Sequence, residues 1–155
     1  MITKLPVDPL VMYDECFGLN LKRAARTVGR RYDEALRPID LNNGQFATLA
    51  VIAAFQPVSM HILAEHMSMD RTTLTAALKP LERRTLVSVR ADDLDRRARS
   101  ISLTDGGMKL LREAIPLWKK VQGRISREMG SSRLPVFRAQ IARLSRLCGG
   151  KLPQE

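Results

Sequence analysis

The sequence predicts a mainly α-helical protein with a small β-hairpin, on two observations. Apolar residues recur at helical spacing through most of the 155-residue chain. Two short runs, 86–90 and 99–103, instead alternate apolar with polar residues, as strands do. A chain of this length is the usual size of one domain, and no internal repeat or low-complexity tract divides it. We therefore expect residues 1–155 to form a single domain.

Two helices are predicted in the first third of the chain. From Phe17 the apolar residues follow one helical stripe as far as Pro38, which ends that helix. Asn42 and Asn43 can cap a second helix containing the apolar run FATLAVIAAF. This run is about half of the roughly 20 residues that a membrane span needs. It is therefore expected to lie in the core of the protein.

A tight pair of helices follows. Ser59 can cap the segment MHILAEHM, and Asp70 can cap a second helix that begins almost at once. Two short helices joined by so tight a turn form a helix-turn-helix. In the second helix three leucines make an apolar stripe, and four small or basic residues lie opposite: Thr72, Thr75, Ala76 and Lys79.

The two strand-like runs make a hairpin with a charged tip, 91–98, and Thr104 then caps a long helix. A last helix follows Pro135. A helix-turn-helix followed directly by a hairpin is the winged-helix arrangement, expected here over about residues 42–104. The long helices at both ends, about 8–36 and 105–148, are suited to pairing with a second copy.

Charge and motifs narrow the function. Lys and Arg number 26 against 16 Asp and Glu, a net charge of +10 that favours a polyanion, either nucleic acid or an anionic membrane surface. The cluster His61, Glu65 and His66 matches no zinc-hydrolase spacing, and no Gly-rich phosphate loop is present. Neither an enzyme nor a cofactor is therefore expected.

The ends of the chain and its two cysteines bear on location. Cys16 and Cys148 are far apart and lack a CxxC partner, so neither a disulfide framework nor a metal site is predicted. The N-terminal segment MITKLPVDPLVMYDE has no uninterrupted apolar stretch of the secretory kind. We expect a cytoplasmic protein that does not associate with membranes.

Two segments carry a family resemblance: MDRTTLTAALKPLERRTLVSV, 69–89, and DLDRRARSISLTDGG, 93–107. With the segment 14–52, they resemble the MarR-family transcriptional regulators over roughly residues 14–128. The D-R-R-x-R-x-I-x-L-T spacing is the most specific part. The resemblance implies a homodimer, held by its terminal helices, that reads pseudo-palindromic double-stranded DNA with its recognition helices in successive major grooves.

Candidate DNA contacts follow from residue chemistry and from the resemblance. Small hydroxyl and methyl groups allow close approach to base edges, so Thr72, Thr75 and Ala76 are predicted at bases or the adjacent sugar. Arg71 could serve at either bases or phosphate. The resemblance implies that Asp95 orients Arg97 for insertion into a narrow minor groove. The predicted phosphate contacts are Ser59, Thr73 and Lys79, with Arg96 and Arg99 at phosphate or solvent.

The resemblance also implies an effector. Regulators of this family often release DNA when a small molecule, commonly an aromatic carboxylate, enters a pocket between the dimerisation helices and the winged helix. An aromatic anion or the phosphates of a CoA thioester would suit arginines beside aromatic rings. The candidates are Arg23, Arg26, Arg30, Phe46 and Trp118. These arginines could equally be a solvated face, with Trp118 in the core.

The interpretation is thus a homodimeric repressor released from its operator by a small effector, with two alternatives left open. Some similar regulators sense peroxides through one cysteine near the start of the first helix, where Cys16 lies. An effector-independent architectural DNA-binding protein is the other alternative.

Overall fold

The computed structural model describes residues 5–91 and 99–149. Within these ranges the chain forms α-helices, short strands and two 3-10 turns, Arg37–Ile39 and Ser131–Arg133. The α-helices are α1 Pro9–Glu15, α2 Phe17–Leu36, α3 Asn43–Phe55, α4 Met60–Met67, α5 Arg71–Arg83, α6 Asp105–Met129 and α7 Leu134–Leu147. The strands are β1 Val58–Ser59, β2 Val87–Ala91 and β3 Arg99–Leu103. The predicted mainly α-helical winged-helix fold is confirmed.

Side-chain caps set the starts of α3, α4, α5 and α6, as predicted. Asn42 accepts from the backbone N–H of Gln45 at 2.8 Å, and the Gln45 side chain accepts from the N–H of Asn42 at 3.1 Å. This reciprocal pair is a capping box for α3. Ser59 caps α4 by accepting from Ile62, and Thr104 caps α6 by accepting from a backbone N–H in its first turn.

The turn between α4 and α5 has the predicted form. Ser68 ends α4 with φ 50°, in the left-handed region, and Met69 donates back to the carbonyl of Ala64 at 2.9 Å. Asp70 then caps α5, which continues through Pro80 to Arg83. Three residues therefore separate the two helices, and the helix-turn-helix is confirmed.

The sheet has the order β1-β3-β2 with antiparallel pairing throughout. Val87 pairs with Leu103, and both Val58 and Val89 pair with Ile101, which places Ile101 at the centre. The sequence predicted the β2–β3 hairpin but not β1. A two-residue strand shows no alternation, so only its partner in β3 defines it.

The core lies within the winged helix and at its junction with α2 and α6. The leucines of α5 are buried as predicted, and they pack with residues from α2, α3, α4, the sheet and α6. Buried at 1% exposure or less are Leu36, Leu49, Ile52, Leu63, Leu74, Leu78, Leu81 and Ile101, with Ala114 and Thr48.

The terminal helices differ from the core. The sequence pattern did not separate α1 from α2, yet the helix breaks at Cys16. No residue of α1 or α7 is buried within the single chain. Most of their large apolar side chains are instead exposed. Across residues 5–91 and 99–149, no helix is both long and apolar enough to cross a membrane.

Candidate DNA-binding surface

The outward face of α5 is held in place by its buried leucine stripe. Because Leu74, Leu78 and Leu81 face the core, the opposite side of the helix faces outward. The four side chains predicted on this face are exposed: Thr72, Thr75, Ala76 and Lys79. Arg71 and Thr73, the other predicted DNA contacts on α5, are exposed as well. The surface combines small groups with cations and carries no carboxylate among these residues.

The N-terminus of α5 is organised by Asp70. Its Oδ1 accepts from the backbone N–H of Thr73 at 2.8 Å, and its Oδ2 accepts from the Thr73 hydroxyl at 2.7 Å. These hydrogen bonds from Thr73 hold the pKa of Asp70 below its ordinary value. Asp70 is therefore ionised at neutral pH. The phosphate contact predicted for Thr73 would require its hydroxyl to leave this carboxylate, and that contact stays a prediction.

The hydroxyl of Thr75 is also engaged within the helix. Its Oγ1 donates to the backbone carbonyl of Arg71 at 2.7 Å. Two of the three threonine hydroxyls on this helix are thus hydrogen-bonded locally. The position of each threonine on the helix followed from the sequence, but the direction of each hydroxyl proton did not.

The hairpin lies beside this helix. Arg99 begins β3, is exposed and pairs with Ala91 at the end of β2. On β2, Arg90 donates through Nε to the hydroxyl of Ser88 at 3.2 Å. Asp95, Arg96 and Arg97 lie outside the described residues, so their predicted roles at the hairpin tip are not tested.

A cavity of about 1050 Å³ lies between α4, α5 and the strands of the hairpin, and the residues just after α7 also line it. Four of the predicted DNA-contacting residues border it: Ser59, Arg71, Thr75 and Arg99. The structure thus brings together side chains from three elements that are separated along the chain. The cavity is also bordered by a histidine and two carboxylates that the sequence did not predict at a DNA-binding surface: His61, Glu65 and Glu82. His61 Nε2 lies 3.4 Å from Glu65 Oε1.

Contacts between distant segments hold this surface in place. Arg84, just after α5, donates to the backbone carbonyl of Asp40, and its Nη2 lies 3.5 Å from the Asp40 carboxylate. This pair ties the end of α5 to the turn after α2. Gln56 accepts from the backbone N–H of Leu103 at 2.8 Å and so fixes β3 to the end of α3. No sequence motif predicted either contact.

The predicted effector residues lie in three separate settings. Arg26 and Arg30 border a second cavity of about 460 Å³, which is also lined by residues from the start of α3. The Arg23 guanidinium lies 4.6 Å from the centre of the Tyr13 ring.

Phe46 and Trp118 contact each other, with ring centres 6.5 Å apart, and both pack against the core. Neither ring lines the cavity that Arg26 and Arg30 border. Within the single chain Trp118 packs against the core. A pocket that joins these rings with the arginines stays a prediction.

Both cysteines are exposed and unpaired. Cys16 lies at the break between α1 and α2, where its sulfur accepts from the backbone N–H of Leu19 at 3.5 Å. Cys148 borders the large cavity. Among the residues that the structure describes, no three of the metal-binding types come together.

The sequence of residues 41–98 and the fold of the chain are both similar to those of known transcriptional regulators. These residues match the model of the MarR family. DNA-bound MosR, a transcriptional regulator of M. tuberculosis, is 41% identical, with a TM-score of 0.80 over 87% of this chain and 97% of that one. A mutant of MarR from E. coli, complexed with operator DNA, is 19% identical at a TM-score of 0.80, over 88% and 99% of the two chains.

A third structure is similar in fold. CouR from Rhodococcus jostii RHA1, bound to p-coumaroyl-CoA, is 20% identical, with a TM-score of 0.73 over 85% of this chain and 93% of that one. The identity to MosR, across nearly all of that regulator, goes beyond a likeness of fold. The chain belongs to the MarR family of winged-helix, DNA-binding transcriptional regulators.

Proposed function

We propose that the protein is a homodimeric repressor that binds a pseudo-palindromic operator and is released by a small effector. The observation that carries the proposal is the exposed face of α5, free of carboxylates from Arg71 to Lys79, beside a hairpin whose second strand begins at Arg99. Such a face suits the base edges and phosphates of a major groove. The DNA partner implies a cytoplasmic location, as the sequence predicted.

The terminal helices support the homodimer. Large apolar side chains on α1, α2 and α7 are exposed in the single chain, and clusters of exposed apolar side chains are typical of protein–protein interfaces. A second copy covers them if the same helices pack against each other about a two-fold axis. These side chains include Leu10, Val11, Met12, Phe17, Leu21, Val28, Val136, Phe137, Ile141 and Leu147.

The operator proposal predicts sequence-selective binding. A labelled duplex from the region beside the protein's own gene is titrated with the protein in excess nonspecific DNA, and binding is followed by anisotropy. We expect the complex to survive the competitor, because base contacts add to phosphate contacts. An architectural protein would lose its complex to bulk DNA, and that result would overturn the operator proposal.

The hairpin tip is tested through salt dependence. Replacing Arg97→Ala should weaken operator binding and reduce the salt slope of log K by about one ion. Arg31→Ala is the matched control, since Arg31 lies on α2 and pairs with Glu34 at 3.5 Å. An unchanged slope for Arg97→Ala would remove this arginine from the interface.

The effector proposal is an organic anion held by Arg26 and Arg30. Its support is that both arginines border one cavity, and that CouR, which shares the fold, binds a CoA thioester. Aromatic acids and their CoA thioesters, added in reducing buffer, are expected to release the operator, and Arg26→Ala should blunt that response. An unaltered response would discard the assignment of Arg26.

The redox alternative is favoured by one observation, the exposure of Cys16 at the break between two helices. Peroxide is added to the operator complex, followed by excess thiol. Release by peroxide alone, reversed by thiol and absent in Cys16→Ser, would make Cys16 the trigger. Release by an organic anion in reducing buffer would instead assign the switch to the cavity.

A further inference from the structure

The hydrogen bonds on α5 determine which threonine hydroxyls can donate to DNA. A hydroxyl has one proton to donate and two lone pairs that accept. A backbone carbonyl has no proton, so in the contact between Thr75 Oγ1 and the Arg71 carbonyl at 2.7 Å the hydroxyl must be the donor. The outward side of Thr75 therefore offers lone pairs and a methyl group, but no proton.

The same reasoning distinguishes the other two threonines. The Asp70 carboxylate is ionised and can only accept, so the Thr73 hydroxyl donates to it at 2.7 Å. Thr72 makes no side-chain hydrogen bond to any of the residues that the structure describes, so none of them holds its hydroxyl proton. Of the two threonines predicted at bases, one is therefore restricted to accepting and the other is not.

Base edges in the major groove differ in the same property. Adenine N6 and cytosine N4 are amino groups that donate, whereas guanine O6 and thymine O4 accept. A hydroxyl that can only accept a hydrogen bond can therefore bond to adenine N6 or cytosine N4. It has no proton to donate to guanine O6 or thymine O4. Thr75 is exposed and borders the same cavity as Arg71 and Arg99, on the side of α5 next to the hairpin.

We propose that Thr75 is a specificity-determining residue that reads an exocyclic amino group, that of adenine or cytosine, through a hydroxyl whose proton is held by the Arg71 carbonyl. The inference rests on the proposed function, in which α5 enters the major groove. The intrahelical bond also selects the rotamer of Thr75, because threonine in a helix has two accessible χ1 positions. The acceptor is thus oriented before DNA arrives.

The test begins with selection of preferred duplexes from a randomised library by the full-length protein. In the selected duplex, each adenine is then replaced singly by purine, which lacks the N6 amino group, and each cytosine by 2-pyrimidinone, which lacks the N4 amino group. Wild type, Thr75→Val and Thr75→Ser are titrated against every duplex. Valine keeps the shape of threonine without the hydroxyl, and serine keeps the hydroxyl, so each variant controls for the other.

We expect Thr75→Val to bind the selected duplex about tenfold more weakly than wild type, the size of one lost hydrogen bond. On the duplex that lacks the contacted amino group, wild type and Thr75→Val should bind equally. Thr75→Ser should retain the wild-type preference. Comparing the four affinities as a cycle cancels the loss of base pairing caused by the analogue itself.

Two outcomes overturn the proposal, and they are distinguishable. If Thr75→Val binds every duplex as wild type does, or weakens binding equally on every duplex, Thr75 does not read an amino group although the operator proposal stands. If wild type selects no sequence from the library, both the reading by Thr75 and the operator proposal fail.

Discussion

Replacing Gly107→Ala should destabilise the protein, because α6 approaches the start of the hairpin too closely for any side chain at this position. A Cβ built on Gly107 would lie 2.0 Å from the carbonyl oxygen of Leu86 and 2.9 Å from its carbonyl carbon. Even close contacts of carbon with oxygen are about 3.3–3.6 Å. The backbones must therefore separate by about 1 Å or more.

The Leu86 carbonyl has little freedom to move. It accepts from the backbone N–H of Thr104 at 3.1 Å, and Leu86 itself is buried at 7% exposure. The Thr104 hydroxyl also donates, at 2.6 Å, to the carbonyl of Thr85, the residue that precedes Leu86. Separation of α6 from this segment would strain both hydrogen bonds.

The magnitude follows from two opposing effects. Overpacking of a tight site costs typically about 1–3 kcal/mol, and a contact with backbone belongs at the upper end. Alanine in place of glycine favours a helix by about 1 kcal/mol. Gly107→Ala should therefore lower the free energy of unfolding by about 2 kcal/mol, which corresponds to a fall in Tm of about 4–8 °C.

Gly106→Ala is the matched control. A Cβ at Gly106 meets nothing closer than the Thr104 hydroxyl at 3.6 Å, an ordinary contact. This variant should raise Tm by about 2–4 °C through helix propensity alone. Thermal unfolding is measured by circular dichroism at one protein concentration, because dimerisation makes Tm depend on it. Equal Tm values for the two variants would refute the reasoning.

Three further predictions concern α5 and the terminal helices. Leu78→Ala should cost about 2–5 kcal/mol in urea unfolding, since this side chain is 1% exposed and its removal leaves a cavity; a smaller loss would mean that the site collapses. The stabilisation by ionised Asp70 should be present above its ordinary pKa of 3.8 and lost as pH falls through its lowered folded pKa. Asp70→Asn still caps α5, so the fall in stability with acid should be smaller in this variant, and identical acid profiles would contradict that account. Phe137→Asp should shift sedimentation toward the monomer, because Phe137 is exposed on α7, which has no buried residue; an unchanged dimer would exclude this face from the interface.

The candidate site shows where sequence reasoning reaches its limit. Helical spacing correctly predicted the exposed face of α5, because the leucine stripe and the opposite face are related by local geometry alone. The surroundings of the effector candidates could not be predicted from the sequence in the same way. The sequence offered Arg26 and Trp118 as candidate effector residues. In the single chain Trp118 packs on Phe46 against the core, and Arg26 borders a cavity that neither ring lines. The spacing of residues along one helix does not determine which side chains of a second helix lie against it.

By itself the sequence determined the order of the helices from α2 to α7 and of the β2–β3 hairpin, the caps at Asn42, Ser59, Asp70 and Thr104, and the winged-helix class. These depend on hydrogen bonds and apolar spacing within a few residues of one another. Only the tertiary structure decided the pairing of β1 with β3, the anchoring of Arg84 to Asp40, the contact of Gly107 with Leu86 and the separate settings of the effector candidates. Each of these features depends on segments that are far apart in the chain, so no local sequence pattern predicts it. The atoms come into contact only when the core packs.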